Sequence, residues 1–134
     1  MFTHSRNVMA AAHSIVLMIY SGPDYFEPGL RALADARRLT KAGSTIRQVF
    51  FYGAATLYGS AHIEFPSGLP NLQEEWRQFS AATQSPLVIC STAGAQYGVI
   101  AEPAPEGNLA EGFFAGGLAE FVEQLSSADQ LLQY

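Results

Sequence analysis

Cysteine is almost absent from this sequence, because Cys90 is its single instance among 134 residues. One cysteine cannot form an internal disulfide, so a reducing, cytoplasmic compartment is expected. The histidines His4, His13 and His62 have no spacing typical of a zinc site. Glycine-rich phosphate-binding motifs are also missing after the first predicted strand. The sequence therefore predicts a protein that works without a metal ion or a bound cofactor.

Charged side chains are scarce as well, at 14% of the residues, and seven residues are Lys or Arg. With a formal net charge of -5 the chain has no basic stripe for a phosphate backbone, so direct binding of nucleic acid is not expected. No apolar run approaches the roughly 20 residues that span a bilayer, so no membrane contact is expected. Hydrophobic residues make up 49% of the chain. So much apolar surface with so little charge predicts that the isolated chain forms a homo-oligomer.

The length of the chain fits one ordinary domain and is too short for a second independent core. Residues 1–12 are expected to be a disordered N-terminal extension. Residues 13–134 are expected to form the single domain.

Apolar runs of strand length alternate with segments of helical period. Residues 13–20 form a continuous apolar run ended by Ser-Gly-Pro, as in a strand covered on both faces. Residues 28–42 then repeat apolar side chains at helical spacing. The alternation indicates βαβ units and predicts an α/β three-layer sandwich with a mainly parallel sheet of about five strands. Further strands are predicted at 45–52, 86–90 and 130–134, and further helices at 71–83, 91–97 and 113–125.

The last predicted helix, 113–125, contains the adjacent residues Gly116 and Gly117. Glycine weakens a helix interior, so the pair indicates close packing against the sheet or a partner helix. Four apolar residues of this helix are predicted to face inward: Leu118, Phe121, Val122 and Leu125.

Cys90 ends a predicted strand and immediately precedes a predicted helix, and ligands gather at the carboxyl ends of parallel strands. A thiol in this position faces the backbone N–H groups of Ser91 and Thr92 and the positive end of the helix dipole, which both favour the thiolate. A thiolate is the species that accepts or surrenders a sulfane sulfur, so Cys90 is the candidate catalytic residue. The alternative is a buried structural cysteine, since free cysteine is among the most buried residue types.

A long loop rich in Gly, Ser and Pro is predicted at 53–69, and loops of this length are typically functional or interface elements. If this loop folds over Cys90, His62 is a candidate general base, although one loop histidine is more often simply solvated. Tyr58 is a candidate for lining a pocket or a subunit contact, although an aromatic residue beside a buried strand is usually core. Both residues are therefore possible accessory residues.

Four stretches of the chain together resemble a known family. They are the first strand with its SGP turn, QVFFYGAATLYGSA, LVICSTAGAQYGV, and EGFFAGGLAEFVEQLSSADQLLQY. In order and spacing, from about residue 14 onward, they resemble the DsrE-like sulfur-relay family, and most of all its TusD and DsrE members. The resemblance implies the DsrE-like fold and a sulfurtransferase in which the cysteine after the third strand, here Cys90, accepts persulfide sulfur.

The resemblance also implies partners. It implies a hetero-oligomer with paralogous small subunits (TusB/TusC-like or DsrF/DsrH-like), a TusA-like sulfur donor and a TusE/DsrC-like acceptor. The implied pathway is the TusBCD relay for tRNA 2-thiouridine synthesis. Two alternatives stay open, a DsrE-type subunit of a sulfur-oxidation complex and a non-catalytic scaffold subunit of a DsrE-like hetero-oligomer. The turn after Cys90, STAGAQYG, lacks arginines that would attract an acidic partner.

Overall fold

The computed structural model describes residues 13–102 and 104–134, so the predicted extension at 1–12 lies outside the described residues. The described residues form five strands: β1 (Ser14–Ile19), β2 (Thr45–Phe51), β3 (Leu87–Cys90), β4 (Phe113–Gly116) and β5 (Gln130–Gln133). The same residues form four α-helices: α1 (Glu27–Lys41), α2 (Leu72–Thr83), α3 (Ser91–Gln96) and α4 (Leu118–Ser126). They also contain two short 3-10 helices, Pro23–Tyr25 and Gly53–Gly59.

The five strands form one sheet in the order β4-β3-β2-β1-β5, and every neighbouring pair is parallel. The predicted α/β fold with a parallel sheet is thereby confirmed. Parallel neighbours require crossover connections, which the helices supply. Because all strands run the same way, their carboxyl ends meet at one edge of the sheet, where Cys90 ends β3.

One side of the sheet is covered by α1 and α2. On α2, the fully buried Trp76 packs edge-to-face against Phe51 of β2, with ring centroids 5.8 Å apart, and against Phe79, with centroids 5.6 Å apart. The predicted helix start is confirmed, since the Asn71 side chain accepts the Glu74 N–H at 3.0 Å. On α1, the predicted apolar stripe is buried: Ala32, Leu33, Ala36 and Leu39.

The other side of the sheet carries α4, whose Phe121 stacks on Phe50 with ring centroids 4.5 Å apart. Side chains alternate along a strand. Apolar side chains form one core between the sheet and α1 and α2, called the first core, and another on the side of α4, called the second core. In β3, Leu87 and Ile89 belong to the first core, and Val88 and Cys90 belong to the second. The buried members of the second core are Val16, Phe50, Val88, Cys90, Ala93 and Phe121.

The predicted helix over 113–125 is wrong at its start. Residues Phe113–Gly116 are strand β4, paired with β3, and α4 begins at Leu118. Phe113 is buried while Phe114 is 61% exposed, which is the alternation of an edge strand rather than a helical period. The glycine pair therefore ends the strand and starts the helix, and the Gly117 N–H donates to Glu120 Oε1 at 2.9 Å.

The predicted inward face of this helix is also partly wrong. Phe121 is buried and Leu125 packs against the second core, as predicted. Leu118 and Val122, in contrast, are 49% and 58% exposed. The helix rests on the sheet along a narrow stripe through Phe121 and Leu125. No described element covers the flank that carries Leu118 and Val122.

The segment predicted as a loop at 53–69 begins with a packed element. The 3-10 helix Gly53–Gly59 buries Ala55, Thr56 and Tyr58 and packs against α3. Just beyond it, the Ala61 N–H donates to the Asn108 carbonyl at 2.7 Å. The first half of this segment is therefore a packed 3-10 helix rather than an irregular loop.

Along the part of the chain that the structure describes, no helix has both the length and the hydropathy that crossing a membrane requires. In the same residues, His, Cys, Asp and Glu side chains nowhere form a group of three that could hold a metal ion.

Candidate functional site

Cys90 occupies the place that the sequence predicts, at the carboxyl end of β3 and directly before α3. It pairs with Gly116 of the edge strand β4 and is the N-cap residue of α3, with φ -67° and ψ 119°. The extended backbone of an N-cap residue lets the chain pass from strand to helix without an intervening loop. The transition places the Cys90 side chain where the strand ends and the helix begins.

The Cys90 side chain is buried, with 1% of the residue exposed. It packs in the second core with Ala93 of α3 and Phe121 of α4. It makes no capping hydrogen bond to α3, which is six residues long. In this conformation the sulfur is therefore enclosed by apolar groups.

Ser91 and Thr92 are the first two residues of α3. Ser91 is half-buried and Thr92 is exposed. The first N–H groups of a helix have no acceptor within the helix. The backbone N–H groups of Ser91 and Thr92 therefore begin α3, but the Cys90 side chain makes no hydrogen bond to this helix, so their role toward the sulfur stays a prediction.

Gly116 pairs with Cys90 in the sheet, and Glu120 lies against Gly116; the sequence analysis places neither residue at the Cys90 site. A Cβ atom at Gly116 would lie 2.8 Å from Val88 Cγ1 and 3.1 Å from Glu120 Oε1. The absence of a side chain at Gly116 thus lets the first turn of α4 close over the end of β4. The adjacent glycines Gly116 and Gly117 are the sequence signal for this close approach. The sequence analysis placed the two glycines inside a helix.

His62 lies in the segment after the 3-10 helix Gly53–Gly59, with an exposed side chain. Its backbone N–H donates to Ser60 Oγ at 3.1 Å. The described contacts do not bring His62 to the buried Cys90. The general-base role of His62 stays a prediction.

Tyr58 belongs to the first core, on the side of the sheet opposite Cys90. It is fully buried and its ring packs against Phe51 at 6.0 Å between centroids. Its hydroxyl group has no hydrogen-bond partner. Burial, and next the charge of Asp24, raise the pKa of Tyr58 to about 12. Tyr58 is therefore not brought together with Cys90 in this structure.

Residues 13–134 match the DsrE/DsrF-like family. The chain belongs to this family. A Sulfurtransferase TusD homolog from Haemophilus influenzae is 33% identical over 101 residues, which cover 72% of this chain and 80% of that relative. A Sulfurtransferase TusD homolog from Pasteurella multocida is 32% identical over 109 residues, covering 78% of this chain and 86% of that relative. The crystal structure of the ychN protein from E. coli has a TM-score of 0.75 and 24% identity, and covers 90% of this chain and 98% of that chain.

These similarities confirm the family that the sequence resembles, and the ychN structure confirms the fold. They also confirm the predicted sulfurtransferase function in a sulfur relay, since the two similar proteins are each named Sulfurtransferase TusD homolog.

Tyr58 gives this DsrE/DsrF-like domain a measurable alkaline response. An unfolded tyrosine ionises near about pH 10, whereas the pKa of folded Tyr58 is about 12. Between these values the unfolded state loses a proton that the folded state keeps, so stability falls as pH rises. Tyr58→Phe is expected to remove part of this loss. At pH 7 it should leave the free energy of unfolding unchanged or raise it by up to about 1 kcal/mol, because the buried hydroxyl is unpartnered.

Urea unfolding at neutral pH and above pH 10 measures this effect, and Tyr97→Phe, at a 46% exposed position, is the control. Equal alkaline losses in the Tyr58→Phe protein and the unmodified protein would refute the assignment.

Proposed function

We propose that this protein carries sulfur as a persulfide on Cys90 and passes it on within a sulfur relay. The supporting observation is the position of Cys90, the single cysteine of the sequence, at the carboxyl end of β3 and the start of α3. Ligands of open parallel sheets bind at this edge. The family relationship supplies the second support, because the similar proteins are sulfurtransferases by name.

Loading begins with the Cys90 thiolate as nucleophile. The thiolate attacks the terminal sulfur of a donor persulfide, and a new S–S bond forms on Cys90 as the S–S bond of the donor breaks. The donor leaves as a thiolate with the electron pair of that broken bond. The sulfane sulfur changes carrier without net oxidation or reduction, so no redox cofactor takes part.

Delivery repeats the same chemistry in the opposite direction. The thiolate of an acceptor attacks the outer sulfur of the Cys90 persulfide, and Cys90 leaves as a thiolate. The backbone N–H groups of Ser91 and Thr92 would stabilise negative charge on the Cys90 sulfur in both steps, since these groups begin α3 without helical partners.

The proposed assembly follows from the family. The chain would act in the cytoplasm within a hetero-oligomer of TusB/TusC-like or DsrF/DsrH-like subunits, between a TusA-like donor and a TusE/DsrC-like acceptor. The tRNA 2-thiouridine relay is the proposed pathway, and a DsrE-type sulfur-oxidation complex is the alternative. Self-association of the isolated chain stays a prediction.

A scaffold subunit is the second candidate function, and the burial of Cys90 favours it. A thiol with 1% exposure in an apolar cluster is what a structural cysteine is expected to show. Under the relay proposal, local opening of α3 or α4 admits the donor, and such opening is common in segments with few buried contacts. The two candidates differ in whether the native chain takes up sulfur.

Intact-protein mass spectrometry of the native chain after incubation with a persulfide donor tests the proposal. The unmodified protein is expected to gain one sulfur atom, which dithiothreitol then removes. The Cys90→Ser variant is expected to gain none, because serine cannot form a persulfide. Ser91→Ala keeps the thiol and the backbone N–H, so it is the matched control and should gain sulfur like the unmodified protein. No gain by the native chain would support the scaffold, and an equal gain by Cys90→Ser would refute the assignment.

A further inference from the structure

The tyrosine beside Cys90 in this fold is Tyr52, the residue that follows strand β2. The pairing of β2 with β3 ends at Phe51 and Ile89. The next residues along the two strands are Tyr52 and Cys90. Both have an extended backbone, with ψ 155° at Tyr52 and ψ 119° at Cys90, so both strands keep their direction at this position. Because neighbouring strands lie about 4.8 Å apart, Tyr52 and Cys90 are adjacent at the carboxyl edge of the sheet.

Tyr52 and Cys90 also lie on the same side of the sheet. Side chains alternate along a strand, so Tyr52 lies on the side of Phe50. The Tyr52 ring stacks on the Phe50 ring with centroids 6.4 Å apart, and Phe50 belongs to the second core together with Cys90. Beyond Cys90 the same row continues with Gly116 of β4. The phenol of Tyr52 and the thiol of Cys90 are therefore neighbours in one row across the sheet.

Tyr52 connects the buried thiol with the protein surface. Tyr52 is 36% exposed, whereas Cys90 is 1% exposed. Among the described residues the Tyr52 hydroxyl group has no hydrogen-bond partner, so its proton is available to a visiting group. A whole aromatic ring separates this hydroxyl from the backbone, so it extends farther from the sheet than the Cys90 sulfur does. A sulfur atom that approaches Cys90 from the surface therefore passes the Tyr52 hydroxyl.

Positive charge is scarce around this row of residues. From residue 78 to residue 134 the sequence has no Lys, Arg or His. The Lys and Arg residues of α1 and α2 lie on the opposite side of the sheet. Arg47, near the start of β2, donates from Nε to Gln124 Oε1 at 3.1 Å. The carboxylate of Glu120 lies against Gly116. A negatively charged sulfur in this row therefore meets neutral donors rather than a cation, and a phenol hydroxyl is such a donor.

We infer that the Tyr52 hydroxyl donates a hydrogen bond to the sulfur of the thiol that exchanges sulfur with Cys90. In loading, Cys90 attacks the terminal sulfur of the donor persulfide, the donor S–S bond breaks, and its electron pair stays on the donor sulfur. The Tyr52 hydroxyl stabilises this leaving thiolate. In delivery the acceptor thiolate occupies the same place when it attacks the outer sulfur. The hydroxyl keeps its proton in both steps. The inference rests on the proposed function and adds a residue to the same site.

Tyr52→Phe tests the inference, because it keeps the ring that stacks on Phe50 and removes only the hydroxyl. N-acetylcysteine persulfide loads the full chain, N-acetylcysteine unloads it, and mass spectrometry follows both reactions where their rates are proportional to concentration. Both rate constants are expected to fall about tenfold, as for loss of a hydrogen bond to a charged group. The equilibrium constant for loading should change less than about twofold, because the hydrogen bond exists only while the partner is bound.

Two controls separate the hydrogen bond from a structural role of Tyr52. Tyr20 follows β1, one strand farther from Cys90, and is 54% exposed. Tyr20→Phe removes the same group there, so it is the matched control and should change both rate constants less than about twofold. Alkylation by iodoacetamide reports access to the Cys90 thiolate without a second sulfur atom. Tyr52→Phe should therefore leave the alkylation rate within about twofold of that of the unmodified protein.

Equal exchange rates in the Tyr52→Phe protein and the unmodified protein would overturn the inference. So would equal slowing by Tyr20→Phe, or a parallel change in alkylation, which would assign Tyr52 a structural role. A changed loading equilibrium would assign the hydrogen bond to the persulfide itself and would also overturn it. No sulfur uptake by the unmodified protein would mean that the sulfur-carrier function fails. Normal uptake without an effect of Tyr52→Phe would mean that this inference alone fails.

Discussion

Replacing Trp76 by alanine is expected to lower the free energy of unfolding by about 3 to 5 kcal/mol. The indole is fully buried between Phe51 and Phe79, and its removal leaves a cavity in the first core and deletes two edge-to-face contacts. The indole N–H has no hydrogen-bond partner, so its loss offsets part of this cost and favours the lower end of the range.

Urea unfolding at one fixed protein concentration measures the Trp76→Ala effect, because self-association would make stability depend on concentration. Tyr97→Ala, at an exposed position, is the control and should change stability by no more than about 0.5 kcal/mol. A loss below about 1 kcal/mol in Trp76→Ala would contradict the packing of the first core.

Gly59→Ala is expected to destabilise the domain by about 1 to 3 kcal/mol, through crowding rather than a cavity. A Cβ atom at Gly59 would lie 2.7 Å from Ile89 Cγ2, and Ile89 is fully buried directly before Cys90. The methyl group belongs to a β-branched side chain of the sheet, which has few ways to move. The strain therefore falls on the strand that positions the thiol.

A double-mutant cycle with Ile89→Ala isolates this contact. Ile89→Ala alone creates a cavity, but it also removes the methyl group that meets the new Cβ. The two substitutions together should therefore cost less than the sum of the single effects, by at least about 0.5 kcal/mol. Additive losses would show that Gly59 is required for another reason.

The sequence predicts most of this fold because its patterns are local. The apolar run of β1 and the stripe of α1 follow directly from residue periodicity. The start of α2 follows from the side chain of Asn71. The prediction fails at residues 113–116 for a non-local reason, because this segment forms a strand by pairing with β3. Apolar residues at 118, 121, 122 and 125 satisfy a helical period, which the prediction extends back to 113, and pairing with β3 overrides that extension.

The site is predicted in part for the same reason. Cys90 and the donors at Ser91 and Thr92 are adjacent in sequence, so their place at a strand-to-helix junction can be derived without the fold. Burial of the thiol depends on Phe121, which belongs to α4 and is far from Cys90 in the sequence. The separation of Tyr58 from Cys90 depends on the side of the sheet on which each lies. Alternation along β3 turns Cys90 into the second core, while the 3-10 helix Gly53–Gly59 places Tyr58 in the first.

Delivery of sulfur from Cys90 to an acceptor thiol is the property that defines a sulfur carrier, and it can be measured. The loaded protein, freed of donor, is mixed with a small thiol such as N-acetylcysteine, and mass spectrometry follows both products. We expect attack on the outer sulfur, so that Cys90 returns to the free thiol while the acceptor becomes a persulfide. Attack on the inner sulfur, seen as released sulfide and a mixed disulfide between Cys90 and the acceptor, would contradict a sulfur carrier.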